Sequence, residues 1–207
     1  MPGRRLFIAV PLAEEARARI VDLVDQLRAA EGRGPRQGTA GRRGVRWVRL
    51  DGLHLTLHFL GPTEEPAVPA VVEATRRAAG ATEPFELTID GAGGFPDAAR
   101  PRALWLGVVD GTTELADLAR VVERELGIAG WPPAERPFRP HLTLARSDGV
   151  PGAAEIVRRM VAAAAGLRLR SVVDRLVLYE SITGGGPARY EPLEVVPLRL
   201  HRPSPPR

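Results

Sequence analysis

Apolar and polar positions along the chain fall into short blocks of two kinds. Leu6–Leu12 (LFIAVPL) is apolar with little polar interruption and predicts a buried strand. Glu14–Ala30 instead carries apolar residues at Ala16, Ile20, Leu23, Val24 and Leu27, the spacing of one helix face. Two strand candidates follow, Arg46–Leu50 and Leu53–Leu60, with an Asp51-Gly52 turn signal between them. Pro62–Gly80 reads as a second helix, with Gly61 before it and Gly80 at its end. Phe85–Asp90 and Ala103–Val109 predict strands around a Gly-rich connection, and a third helix with Thr112 or Thr113 as its cap runs to about Leu126. Phe138–Ala145 predicts a strand reached through Pro137 and Pro140, and Ala153–Ala165 a fourth helix. Val172–Ser181 and Tyr190–Leu200 are closing strands around a Gly184-Gly185-Gly186 turn. Residues 31–44 (EGRGPRQGTAGRRG) have no period and read as a flexible Gly/Arg loop, and the Pro-rich residues 201–207 as a disordered tail.

The order contains a repeat. Strand, helix, strand, helix, strand occurs once from Leu6 to Asp90 and again from Ala103 to Ser181, and each middle strand holds the same tetrapeptide, HLTL, at 54–57 and at 141–144. The first repeat is longer ahead of its tetrapeptide, and the Gly/Arg loop accounts for the excess. This organisation predicts one bilobal domain over residues 1–200, built from two interleaved repeats of a duplicated unit. The period is too long for a solenoid.

Composition narrows the chemistry. The 207 residues contain no cysteine, which excludes disulfides, thiolate metal sites and a cysteine nucleophile. All 29 basic residues are Arg, so no lysine amine is available for Schiff-base or P-loop chemistry. The net charge of +4 is compatible with a nucleic-acid partner without demanding one. The longest apolar stretch, around Met160–Leu167, is far short of the ~20 residues of a membrane span, and the start of the chain leads into a strand without a signal-like run, so a cytoplasmic location is expected.

Within a strand, alternate residues share a face. His54 and Thr56 therefore point one way and Leu55 and Leu57 the other; His141 and Thr143 are set against Leu142 and Leu144 in the same way. His and Thr two residues apart stand roughly 6.5–7 Å from each other, a gap a phosphate fits. If the two lobes are related by a pseudo-twofold, both pairs face one cleft. Two imidazoles across a phosphate provide an in-line displacement with a base for the attacking oxygen and an acid for the departing one. Threonine hydroxyls can donate to the non-bridging oxygens.

HLTLHFLG at 54–61 and PFRPHLTLAR at 137–146, with LFIAV near the start, resemble the 2H phosphoesterases, and most closely their RNA 2',3'-cyclic phosphodiesterase branch, also called 2'-5' RNA ligases. The resemblance runs from Arg5 to about Leu200. It implies an α+β fold of two lobes, each with an antiparallel sheet and two helices, and an active-site groove between the sheets. It implies hydrolysis of RNA 2',3'-cyclic phosphate ends to 2'-phosphomonoesters without metal or cofactor, His54 being the proton donor to the leaving 3'-oxygen and His141 the proton acceptor from water. Thr56 and Thr143 then hold the phosphate. Arg146 matches the Arg that often ends the family's second motif, but strict alternation puts it on the face opposite His141, so that role requires a bend at the strand end. Phe59 occupies the equivalent place in the first repeat.

Strict alternation also puts His58 on the His54 face, at about 13 Å from it, too far to share a metal ion. Phe7, Trp47 and Phe138 are the aromatic candidates for stacking a base, and Arg33, Arg36, Arg42 and Arg43 of the loop for tracking phosphates. A monomer acting on RNA ends, away from membranes, is expected. The competing readings are 2'-5' ligation or turnover of a small cyclic nucleotide, and a non-catalytic RNA-end-binding module. A metalloenzyme is disfavoured because no carboxylate accompanies either tetrapeptide.

Overall fold

The computed structural model describes residues 3–32, 45–184 and 188–199. The chain runs β1 (Arg4–Pro11), α1 (Glu14–Gly32), β2 (Val45–Trp47), β3 (His54–Thr63), α2 (Val68–Gly80), β4 (Phe85–Phe95) and β5 (Ala103–Asp110). It continues through α3 (Thr112–Ile128), β6 (His141–Ser147), α4 (Pro151–Ala163), β7 (Leu169–Val173), β8 (Arg175–Ile182) and β9 (Arg189–Pro197). The strands form two antiparallel sheets, ordered β3-β1-β8-β9 and β2-β6-β5-β4-β7. This is the expected α+β architecture of two sheets and four helices. Most of the loop at 31–44, with its Arg33, Arg36, Arg42 and Arg43, the tail at 201–207 and most of the triple-glycine turn lie outside the described residues. No helix among the described residues is long and apolar enough to cross a membrane.

The repeat does not segregate into lobes in chain order. Each HLTL strand pairs with the strand that opens its own repeat, β3 with β1 and β6 with β5, while the last strand of each repeat crosses to the other sheet. There β4 pairs with β5, and β8 with β1. The first helix of each repeat crosses too: α1 packs beside β7 and α3 beside β3, whereas α2 stays against β8 and β9 and α4 against β4. The lobes are thus interleaved, and one apolar cluster runs through both.

Four local readings change. Val172–Ser181 is two strands: the chain changes sheet at Asp174, giving β7 to one sheet and β8 to the other. Arg46–Leu50 and Leu53–Leu60 do not form a hairpin; Val45–Trp47 pairs with β6 of the other sheet, and Leu50–Gly52 is a 3-10 turn between sheets. The helix expected from Pro62 starts at Val68, because Gly61, Pro62 and Thr63 continue β3 alongside Leu6, Arg5 and Arg4. A proline is tolerated there since β3 is an edge strand. Neither Thr112 nor Thr113 caps α3: its N-cap is Gly111 at φ 73°, where a Cβ would meet the Glu86 carbonyl oxygen at 2.5 Å. The helix faces themselves are as expected, with Ala16, Ile20, Leu23, Val24 and Leu27 of α1 all buried.

Where α2 meets α3, the buried Glu125 accepts hydrogen bonds from Arg77 Nε at 2.8 Å and Arg124 Nη2 at 2.9 Å. These guanidiniums hold its carboxyl below the usual range. Both arginines keep contact with water, so the seam is worth less than a fully buried pair. Glu125→Ala is expected to lower stability by about 1–2 kcal/mol, read as a lower urea midpoint; an unchanged midpoint would show that the seam contributes nothing.

Candidate active site

The two sheets meet where β3 runs beside β6, so the two HLTL strands are neighbours across the junction. Each begins at its histidine. In β6 the chain before His141 reads Phe138-Arg139-Pro140, and Pro140 has no N–H for the ladder. The histidines are tethered alike. His54 Nδ1 lies 2.7 Å from the Gly52 carbonyl oxygen, and His141 Nδ1 2.7 Å from that of Arg139. A carbonyl only accepts, so Nδ1 carries the proton in both rings, and Nε2 is left for chemistry. Thr56 and Thr143 sit two residues on, half-buried, and neither hydroxyl has a protein hydrogen-bond partner among the described residues.

Alternation then breaks at the same place in both strands. Thr56 pairs with Ala9 but His58 with Ile8, leaving Leu57 as an extra residue; Thr143 pairs with Trp105 but Ala145 with Leu104, leaving Leu144 extra. These β-bulges put two successive residues on the core side and reverse the phase beyond them. Leu57 and His58 are both buried, as are Leu144 and Ala145. Two expectations turn on this. Arg146 emerges exposed on the His141–Thr143 face, so the bend that its role requires is present. His58 is not on the His54 face: it is 5% exposed on the opposite side, lining a cavity of about 410 Å³ with Glu123 and Phe138.

The aromatic candidates scatter. Phe7 is on the groove face but 2% exposed, covered by His54 (centroids 4.8 Å apart), Tyr179 (5.3 Å), Tyr190 (5.2 Å) and Phe59 (5.7 Å). It is a floor under His54 and has no free face for a base. Trp47 lies on the other side of its sheet, its ring beneath the Arg28 guanidinium at 5.5 Å. Phe138 faces the cavity behind His58. The aromatic side chain that does stand free on the His54 face is Phe59, 66% exposed. Its equivalence to Arg146 in the repeat was the available signal. Around His141 the rings are Phe95, edge-on at 5.1 Å, and Trp105, which stacks near Phe95 and fills the space a Cβ on Gly93 would take. The Trp105 indole N–H is buried without a partner among the described residues, one strand across from Thr143. These rings come from β4, β5, β8 and β9, and local sequence does not connect them to the histidines.

The aromatic enclosure disfavours the charged form of His54. Burial pushes the His54 value down to about 4, against the smaller opposing effect of its Gly52 hydrogen bond. The ring is therefore neutral in the free protein at pH 7. Such a histidine binds its proton more readily unfolded than folded. Its contribution to stability is complete above about pH 6.5, falls progressively toward pH 4 and is constant below. His58, also lowered by burial, acts in the same sense. Urea midpoints should drop between pH 6.5 and 4, and His54→Gln should flatten part of that drop; the same slope in the variant would contradict the shift. Among the described residues no three His, Asp or Glu side chains gather as a metal would need.

This groove has counterparts. The family model described as the 2'-5' RNA ligase superfamily matches residues 12–185. The RNA 2',3'-cyclic phosphodiesterase of Aeropyrum pernix is 36% identical over 119 residues, 56% of this chain and 66% of that protein, just under two thirds of its length. The Escherichia coli protein of the same name is 32% identical over 194 residues, 92% of this chain and 94% of its own. The crystal structure of E. coli LigT complexed with 3'-AMP superposes with a TM-score of 0.70 at 30% identity, over 96% of this chain and 99% of that one. With a match that spans both histidine strands and a shared fold along nearly its whole length, this chain belongs to the 2'-5' RNA ligase superfamily, the 2H phosphoesterases that its paired HLTL strands resemble.

Proposed function

We propose that this protein hydrolyses RNA 2',3'-cyclic phosphate ends to 2'-phosphomonoesters by acid–base catalysis between His54 and His141, without a metal ion. The observation that carries the reading is the matched tether: two strands that meet, each offering an imidazole with Nδ1 anchored to a carbonyl and Nε2 free. The relatives named for this activity and the LigT complex with 3'-AMP support a nucleotide in the groove.

In this reading His141 Nε2 takes a proton from water as its oxygen attacks phosphorus opposite the 3'-oxygen. The P–O3' bond breaks, His54 Nε2–H gives its proton to O3', and the phosphate stays on O2'. The hydroxyls of Thr56 and Thr143 donate to the non-bridging oxygens, and Arg146 offsets the charge that builds there. The depressed value of His54 leaves the free ring without the proton a donor needs. The phosphodiester anion beside the ring favours its protonated form, so substrate and proton arrive together. Phe59 stands on the His54 side, where the terminal ribose binds if O3' faces His54, and offers its exposed ring to that nucleotide's base. A threonine beside each histidine, where a metal site would need a carboxylate, is the ground for reading the reaction as metal-independent.

The test is an RNA oligonucleotide ending in a 2',3'-cyclic phosphate, incubated after EDTA treatment, with the product end identified by phosphorus NMR. A 2'-phosphate is expected; a 3'-phosphate, joined strands, or activity that needs one added divalent ion would each replace the reading. His54→Ala and His141→Ala should each lower kcat by about 10²–10⁴-fold with the circular dichroism spectrum preserved. Phe59→Ala should lower kcat/KM for nucleoside 2',3'-cyclic phosphates by about five- to hundredfold, the usual range for one base–aromatic stack. It should spare a cyclic phosphate that lacks a base, and equal losses on both would mean that Phe59 shapes the groove without touching the base.

A further inference from the structure

Beyond Thr143 the groove face of the second sheet carries two arginines in direct opposition. Arg46 on the edge strand β2 is the cross-strand partner of Arg146 on β6, so their side chains leave the same face. Because of the bulge at Leu144, that face is the one bearing His141 and Thr143. Like charges directly opposite each other destabilise a ladder, yet both side chains are exposed, and Arg146 has no hydrogen-bond or ion-pair partner among the described residues. The charge on Arg46 is met from one side only, by Asp148 just past the end of β6: Nη1 donates to Oδ2 at 3.0 Å and Nη2 to Oδ1 at 2.9 Å. Arg102 adds its field to the same carboxylate. Two guanidiniums therefore act on one acid while Arg146 stands unpaired among the described residues, and positive charge is left over at the edge of the groove.

We propose that Arg46 is the binding residue for a second phosphate, the phosphodiester next to the scissile cyclic end, and that Asp148 is the counterion this phosphate displaces. The inference rests on the hydrolase reading above and makes its substrate a polynucleotide end in preference to a free cyclic nucleotide. The geometry suits it. On β5, Ala103 opposite Arg146 is two register steps from Trp105 opposite Thr143, about 6.6 Å along the sheet, and Arg46 is one strand further out. With the scissile phosphate on Thr143, the next phosphodiester of the chain lies within the combined reach of one nucleotide step and the long Arg46 side chain. The planar fork that now grips both oxygens of Asp148 fits two oxygens of a phosphodiester equally well. A carboxylate on an exposed, water-screened pair is held weakly enough to be exchanged.

The experiment compares wild type, Arg46→Gln, Asp148→Asn and the double variant on two substrates. One is a short single-stranded oligonucleotide ending in a 2',3'-cyclic phosphate, and the other is a nucleoside 2',3'-cyclic phosphate. The readouts are the ratio of the two kcat/KM values and the salt dependence of affinity for the oligonucleotide. Arg46→Gln should reduce the ratio about three- to fivefold and lower the log–log salt slope by about 0.7. Asp148→Asn should raise the ratio, and that gain should vanish when Arg46 is also Gln. An unchanged ratio and slope in Arg46→Gln overturns the proposal, and so does an Asp148→Asn gain that persists without Arg46. If the wild type turns over neither substrate, the hydrolase reading is what has failed, and the salt slopes of oligonucleotide binding still decide whether Arg46 meets a phosphate.

Discussion

One inserted residue in each histidine strand governs what this groove contains. A strand has a strict period of two, so a single extra residue moves everything beyond it to the other face. At Leu57 and Leu144 that shift sends a buried pair inward and brings the fifth residue after each histidine out beside its Thr. Without the bulges, Arg146 and Phe59 would face the helices, and His58 would stand in the groove with His54. Because the bulge occurs at the same point of both repeats, the groove is symmetric in its histidines and threonines. Beyond them it is asymmetric, with a cation on one side and an exposed ring on the other.

The histidines differ for a related reason. Their tethers are alike, 2.7 Å in each, so orientation and tautomer do not separate them. Their enclosures do. His54 lies against Phe7, Tyr179 and Tyr190, rings delivered by three different strands of its sheet, and loses the solvation that would stabilise its charge. His141 meets Phe95 at its edge and lies beside the Arg139 backbone. The crossed strands β8 and β9, from the end of the chain, build the box around the first histidine.

The interleaving has a mechanical consequence. A groove between two independent lobes would open and close freely, whereas here β4, β8 and the short β2 each belong to one repeat and hydrogen-bond into the sheet of the other. The edge strand β2 also carries Trp47 on its core side and Arg46 on its groove side, seven and eight residues before His54. The segment that places the first histidine is thereby hydrogen-bonded to the strand of the second.

Period and repetition determined much of this protein by themselves. The helix faces, the antiparallel strands, the duplication and the two His-Thr pairs follow from local spacing, because side-chain direction within an element depends only on backbone geometry. The sequence also matched Phe59 with Arg146, though without the face on which either stands. The tertiary structure alone decided the rest. Which sheet a strand joins depends on pairing between distant segments, so the crossing of β4 and β8 and the break at Asp174 carry no local signal. A bulge is a mismatch between two strands and cannot be read from one of them, which is why His58 changed sides and Arg146 came into the groove. Burial of a ring depends on what distant strands lay over it: Phe7 became the floor beneath His54, Trp47 turned away, and His54 lost its ordinary affinity for a proton.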